Sequence, residues 1–337
     1  MGFVFSERDH ELLLTIAEHR VLTATQLAVL CGRNGPATRH RLKILREQRL
    51  IEGDSSRLGQ GSGRPDKLVS LSANGVTCLK ALGLIDADIA AEQLTVRGLK
   101  HPEHDEVASE VWTQLTLLAR HFSGFETLNL APSRVRTNRP VRADPQPLDP
   151  QVISGRADLV PDGVFAIRHQ GVGKTLLFFL EVDMGTQPLV GGRSPNRDVQ
   201  SKILRYQTWF RSGDYQRFSI GDKPFIGFRV LFVTSGVSRL AGLCQLIRQT
   251  PPSDFVWATD DPRMRRESLW APIWTAGGDL SQAPKSILGS LAPVNCPGPA
   301  SLVLGRPATE AGLSSQTRSS RPDGVGGAEG SRHRRKT

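Results

Sequence analysis

The chain has 337 residues and carries 43 basic against 33 acidic side chains, a formal net charge of +10 at pH 7. That length allows two domains, and the positive balance favours a polyanionic partner such as nucleic acid. Four scattered cysteines exclude a disulfide framework and a cysteine zinc site, and the lack of any apolar run near the ~20 residues of a membrane-spanning helix excludes a membrane protein.

Three helices are predicted in the first 50 residues. Apolar residues recur at helical spacing over 7–19, and Thr23 with Gln26 forms a capping box that opens a short second helix. Pro36 suits the first turn of a third helix, which we expect to run to about Arg49. A short helix, a tight turn and a further helix are the order of a helix-turn-helix DNA-binding unit.

The outer face of the third predicted helix is strongly basic. Glu47 is the acidic residue within 33–49, where six arginines and lysines accumulate. A β-hairpin is expected next, with a glycine-rich loop at 59–64, and the whole pattern predicts a winged helix-turn-helix domain. A solvated helix face is the alternative interpretation of the charge run. The side chains expected to contact double-stranded DNA are Arg39, Arg41, Lys43, Arg46 and, in the loop, Arg64.

Helices and strands alternate beyond this unit, which predicts a mixed sheet flanked by helices. Strands are expected at 125–130, 159–167, 175–182, 226–234 and 255–258, and helices at 103–120, 198–211 and 237–248. The expected fold is therefore a two-domain protein of the α+β and α/β classes. We divide it into a winged helix-turn-helix domain at 1–84, a linker at 85–102, a second domain at 103–280 and a disordered basic tail at 281–337, which is rich in Gly, Pro, Ser and Arg.

Two acidic spots mark the predicted sheet. Asp162 begins one strand, and Glu181 with Asp183 ends the next, so antiparallel pairing across the intervening turn would bring Asp162 and Glu181 together. Two carboxylates in that arrangement suit Mg²⁺ as a cofactor. Lys202 and Tyr206 are four residues apart on a predicted helix and could pack over the site. The alternative is that Asp162 is a turn residue and the other two acids are an exposed strand end.

Short motifs spread over about residues 8–275 carry a resemblance to a known family. They include Leu22-Thr-Ala-Thr-Gln-Leu27, Arg41-Leu-Lys-Ile-Leu-Arg46, Val160-Pro-Asp-Gly163, Phe179-Leu-Glu-Val-Asp-Met-Gly-Thr186 and Lys202-Ile-Leu-Arg-Tyr206. With these motifs the chain resembles the replication-relaxation family of bacterial plasmids and integrated mobile elements. The resemblance implies a role in plasmid replication and in DNA relaxation or transfer.

The second domain also resembles the PD-(D/E)xK nuclease fold, a restriction-endonuclease-like domain with the order α-β-β-β-α-β. In that group the Asp of Pro-Asp and the Glu of Glu-x-Lys bind metal, and the lysine steadies the attacking water. The resemblance therefore implies that Asp162 and Glu181 hold the metal. Asp183 stands at the lysine position, a departure from the pattern, and Lys202 on the following helix could supply the amine.

Two hypotheses of different class follow. The first is a DNA-binding replication-relaxation protein, which would be a Mg²⁺-dependent DNA endonuclease if Asp162, Glu181, Asp183 and Lys202 form a catalytic site. The second is a non-catalytic winged-helix transcriptional regulator whose second domain senses a signal or forms a homodimer. Both place the protein in the cytoplasm with no membrane partner.

Overall fold

The computed structural model describes residues 5–54, 67–99, 101–131, 135, 159–191, 198–220 and 224–292. It has the mixed α/β architecture expected, with two β-sheets separated along the chain. The expected contacts of Arg64 and the expected tail beyond residue 292 lie outside the described residues. Within the described ranges, no helix is both long and apolar enough to cross a membrane.

The first sheet is three-stranded and antiparallel, in the order β1-β3-β2. Thr23 and Gln26 form the predicted capping box, in which each side chain accepts a hydrogen bond from the other residue's backbone N–H. Helices and sheet share one apolar core that includes Leu12, Ile16 and Leu45. The elements are α1 Glu7–His19, β1 Leu22–Thr23, α2 Ala24–Leu30, α3 Gly35–Glu47, β2 Ile51–Asp54, β3 Leu68–Leu71 and α4 Ala73–Ala81.

The segment expected to be a linker, 85–102, is packed onto this first core. It contains α5 (Ala91–Leu94) and a 3-10 turn at Val96–Gly98. Ile85 and Leu94 are both buried in the core of the first sheet. Part of the predicted linker is therefore packed against the first core through these two apolar side chains.

The second sheet is six-stranded, in the order β4-β5-β6-β7-β8-β9. Strand β7 pairs in parallel with both β6 and β8, and the other neighbouring strands pair in antiparallel register. Its elements are α6 Pro102–His121, β4 Phe125–Asn129, β5 Gly163–His169, β6 Lys174–Asp183, α7 Val199–Ser212, β7 Phe228–Thr234, α8 Val237–Arg248, β8 Val256–Asp260, α9 Asp261–Glu267 and β9 Thr275–Ala276.

Alternate residues of this sheet face two separate apolar cores. Phe178 and Leu180 of β6 face the core that includes α6, whereas Leu177 and Phe179 face the core that includes α7 and α8. Because Glu181 continues the second set, its side chain lies on the α7 side of the sheet. The Glu181 carboxylate of the predicted acidic site therefore lies on the side of the sheet that packs against α7.

Residues 281–292, the first part of the expected tail, are packed onto the fold. Ile287 and Leu288 are buried in the core on the α6 side of the sheet. The backbone of Lys285 exchanges two hydrogen bonds with that of Trp274, at 2.8 and 3.1 Å. The Gly- and Pro-rich composition suggested an unpacked segment, but the apolar pair at 287–288 anchors residues 281–292 to the fold.

Helix α6 contacts both parts of the chain. Its buried Glu106 accepts hydrogen bonds from Gln26 Nε2 on α2 (2.8 Å) and from Arg265 Nη2 on α9 (2.6 Å). Near its C-terminus, the Arg120 guanidinium donates to the carbonyl oxygens of Val29 and Leu30 at the end of α2. The helix thus joins the helix pair α2–α3 to the second sheet.

Candidate functional site

Helix α3 separates an apolar inner face from a basic outer face. The Asn34 side chain caps its first turn by accepting from Ala37 N–H. Leu42 and Leu45 are buried in the first core. The exposed side chains of the outer face are Arg39, His40, Lys43, Arg46 and Glu47. Three of the five side chains predicted to contact DNA therefore lie in solvent on one helix.

Arg41 differs from its neighbours because it is used within the fold. Its guanidinium donates to both oxygens of Asp9 on α1, each at 2.5 Å, and Asp9 is fully buried. Although burial opposes ionisation of Asp9, hydrogen bonds from Arg41 and Ser6 hold the pKa of its carboxyl below the usual value. A buried carboxylate is stabilised by a paired cation, so Arg41 also forms the contact between α1 and α3.

The acidic residues of the second sheet meet across β5 and β6 as the sequence predicts. Asp162 lies directly before β5, and its N–H donates to Leu180 O at 3.0 Å, which places it opposite Glu181. Asp162 Oδ2 accepts from the N–H of Val182 at 2.8 Å. The antiparallel register therefore holds both carboxylates at the same end of the strand pair.

Glu181 lies beneath two donors from α7. Lys202 Nζ donates to Glu181 Oε2 and Tyr206 OH donates to Glu181 Oε1, both at 2.6 Å. Burial raises the pKa of Glu181 to about 7, although the charge of Lys202 acts in the opposite direction. The spacing of four between Lys202 and Tyr206 indicates how one helix face supplies both contacts.

His104 is a member of this cluster that the sequence did not reveal. Its Nε2 lies 3.2 Å from Asp162 Oδ2. Burial lowers the pKa of His104, but the hydrogen bond and charge of Asp162 outweigh it and raise the pKa overall. Burial of Asp162 is in turn outweighed by His104 and Lys202, which lower its pKa. His104 is in the first turn of α6, far from Asp162 in sequence, so no local pattern connects them.

Asp183, which was expected in the catalytic set, is bound by an arginine of α8. The Arg239 guanidinium of α8 binds it through Nε to Oδ2 (2.8 Å) and Nη2 to Oδ1 (3.0 Å), and Gly185 N–H also donates to Oδ1. Arg239 also donates to Gln187 O, which fixes the loop after β6. Asp183 therefore positions a loop and α8, and its charge is balanced by Arg239.

Asp162 and Glu181 are carboxylates of the type that hold Mg²⁺, but their hydrogen bonds impose one constraint. Mg²⁺ is commonly held in nucleic-acid enzymes by one or two carboxylates, with water and phosphate oxygens completing its shell. Among the described residues, no group of three or more His, Cys, Asp or Glu side chains is placed to hold an ion. Both oxygens of Glu181 already accept hydrogen bonds, so Asp162 and Glu181 fit a cation once Glu181 exchanges Lys202 or Tyr206 for it.

Comparison with known proteins identifies one family. The sequence model described as replication-relaxation matches residues 13–220, which include both the basic helix α3 and the acidic cluster. No curated protein matches the chain at a significant level.

Proposed function

The chain belongs to the replication-relaxation family, and we propose that it binds double-stranded DNA through α3 and acts in replication or relaxation of a plasmid or mobile element. Membership supports a replication-related function. DNA binding is the step by which such a function would reach its substrate.

The N-terminal elements support a winged helix-turn-helix. Helices α2 and α3 are joined by the short segment Cys31–Asn34, and strands β2 and β3 pair in antiparallel register before α4. In proteins of this kind the second helix of the pair enters the major groove and the hairpin reaches the adjacent backbone. We propose the same arrangement here, with α3 as the recognition helix.

The distribution of charge on α3 is the observation that carries the proposal. Arg39, Lys43 and Arg46 are exposed together on a face of α3 adjacent to the buried face of Leu42 and Leu45. A helix needs only its apolar face to pack, so three exposed cations on the other face are available to phosphates and base edges. Counterion release would then provide most of the affinity.

Replacing Arg39, Lys43 and Arg46 together with Ala tests this proposal. Alanine favours helix, and the buried Leu42 and Leu45 are untouched, so the fold should persist. We expect affinity for duplex DNA to fall at least tenfold in a fluorescence anisotropy titration at fixed salt.

A matched triple variant controls for lost charge. Lys174, Arg211 and Arg266 are exposed and belong to the second part of the chain. Their replacement with Ala removes the same net charge and should leave affinity within about twofold. Equal losses in the two triple variants would contradict a binding face on α3.

Metal-dependent DNA nicking is a second candidate function, favoured by the approach of Lys202 to Glu181. A divalent cation held by Asp162 and Glu181 would supply charge stabilisation to a phosphodiester under attack. Lys202 would bring its amine to the same place, and His104 would hold the Asp162 carboxylate in orientation. The nuclease-like resemblance implies the two carboxylates and an amine, and Lys202 on α7 would supply that amine because Asp183 stands at the lysine position.

Magnesium titration distinguishes this second function. If Asp162 and Glu181 hold Mg²⁺, millimolar Mg²⁺ should raise the melting temperature of the wild-type protein, and Asp162→Asn should abolish the rise. Nicking of supercoiled DNA should be lost in Asp162→Asn and in Lys202→Met. Glu126→Gln, on the neighbouring strand β4, should keep both responses.

The non-catalytic regulator stays the alternative for the second part of the chain. It is favoured by the saturation of both Glu181 oxygens within the protein. Wild-type protein that binds DNA but shows neither Mg²⁺-dependent stabilisation nor nicking would establish this alternative, and the second sheet would then serve sensing or dimerisation.

A further inference from the structure

Helix α3 ends in a Schellman motif whose left-handed residue is an arginine. Arg49 N–H donates to Arg46 O at 2.9 Å, and Leu50 N–H donates to Leu45 O at 3.0 Å, the two bonds that define the motif. Arg49 has a φ of 56°, in the region that favours glycine. A side chain at this position strains the backbone.

Helices α2 and α4 close with the same pair of bonds, and both use glycine. Gly32 has a φ of 63° and donates to Val29 O, and Gly83 has a φ of 65° and donates to Lys80 O. The next residue of each completes the motif, Arg33 to Ala28 O and Leu84 to Leu79 O. The helices before and after α3 thus end in glycine at the left-handed position, whereas α3 ends in arginine. A role for the arginine side chain would explain this difference.

Arg49 lines an open cavity of about 290 Å³ at the end of α3. Other lining residues are Arg46, Glu52, Ser72 and Asn74. Ser72 Oγ donates to Arg49 O at 2.5 Å and so fixes the strained residue in place. The strained backbone of Arg49 is therefore held in the lining of this cavity.

Arg46 reaches the same cavity because Gly53 leaves room for it. A Cβ at Gly53 would lie 2.8 Å from Arg46 Nη2. Glu52 faces Arg97, whose Nη2 is 3.5 Å from Glu52 Oε1. Glu52 is thus paired with Arg97, and within the described ranges no ion pair is found for Arg46 or Arg49.

We propose that Arg49 and Arg46 form a phosphate-binding site that grips the DNA backbone beside the recognition helix. The inference rests on the proposed DNA-binding function and adds to it a residue and a position. Two exposed guanidinium groups facing one cavity match the geometry of a phosphate group, which accepts several hydrogen bonds from arginine. Continuity with Arg39 and Lys43 on α3 favours a DNA phosphate over a free anion as the occupant.

Arg49→Gly gives an unusual test because it removes the side chain and relieves the strain together. We expect its melting temperature to rise by about 1–3 °C. DNA affinity should nevertheless fall about five- to tenfold, and the slope of log affinity against log salt should decrease in magnitude by about 1. Arg49→Lys keeps the charge and should retain most of the slope.

Controls separate this inference from the function on which it rests. Arg266→Ala removes one exposed charge on α9 and should leave DNA affinity unchanged. If the wild-type protein binds DNA and the α3 triple variant does not, but Arg49→Gly binds like wild type, the phosphate site is wrong and the proposed function stands. If Arg49→Gly lowers the melting temperature, Arg49 is a structural residue and the inference is overturned. Wild-type protein that binds no duplex DNA would overturn both.

Discussion

The buried carboxyl of Glu181 links the stability of the protein to pH. Its burial raises the pKa from 4.5 to about 7 against the opposing charge of Lys202. A carboxyl whose pKa is higher in the folded state binds a proton more tightly there than in the unfolded chain. Its contribution to stability is therefore fully present below about pH 4.5 and is lost as the pH rises through 7.

Replacing Glu181 with Gln should remove this contribution. The wild-type protein should lose on the order of 3 kcal/mol of this linked free energy between about pH 4.5 and 7, and Glu181→Gln should show a flatter profile over that range. Tyr206→Phe keeps the carboxyl buried and should keep the slope. Urea unfolding at a series of pH values measures the difference, and parallel profiles for wild type and Glu181→Gln would contradict it.

The residues of the acidic cluster were only partly predictable. Asp162 and Glu181 could be paired because a strand, a short turn and a strand fix an antiparallel register from local sequence. His104 and Arg239 could not, since each reaches its carboxylate from a helix distant in the chain. Asp183 was placed in the cluster by alternation along β6, but alternation gives the face of a residue and not its partner.

Secondary-structure elements were predicted well where their end signals are local. The first helix has the bounds expected, and the predicted capping box of Thr23 and Gln26 begins α2 through side-chain hydrogen bonds. Residues 281–292 were not predicted to pack, because composition outweighed the short apolar pair Ile287 and Leu288. Composition and propensity describe the local segment alone, whereas packing depends on the neighbouring surface against which that segment lies.

The contact between α1 and α3 is an element-scale feature with a large expected cost. Asp9→Ala would leave Arg41 without its buried partner and remove the side chain that accepts from Ser6. We expect the free energy of unfolding to fall by about 3 kcal/mol. Glu11→Ala is the matched control on the same helix, since Glu11 pairs with Arg33 at the surface and should cost less than about 1 kcal/mol. Similar losses in the free energy of unfolding for the two variants would contradict a stabilising role for burial of the Asp9–Arg41 pair.

At the scale of the whole molecule, α6 joins the two regions that the proposed function requires. Its first turn carries His104 against Asp162, its second turn carries Glu106 between α2 and α9, and Arg120 near its end binds the carbonyls that close α2. Burial raises the pKa of Glu106, with Arg265 acting against it. The same helix therefore contacts α2 of the helix pair α2–α3 and one carboxylate of the acidic cluster. No local sequence pattern predicts these contacts.

DNA binding by the basic face of α3 is the central claim, and the salt dependence of duplex affinity tests it most directly, because the slope counts the phosphate contacts that are lost. Affinities of the wild-type protein and of the variant with Arg39, Lys43 and Arg46 replaced by Ala would be measured from about 50 to 300 mM salt. We expect the magnitude of the wild-type slope to exceed that of the variant by about 1 to 3, with the Lys174, Arg211 and Arg266 triple variant matching wild type. Equal slopes for wild type and the α3 variant, with both folded, would contradict the claim.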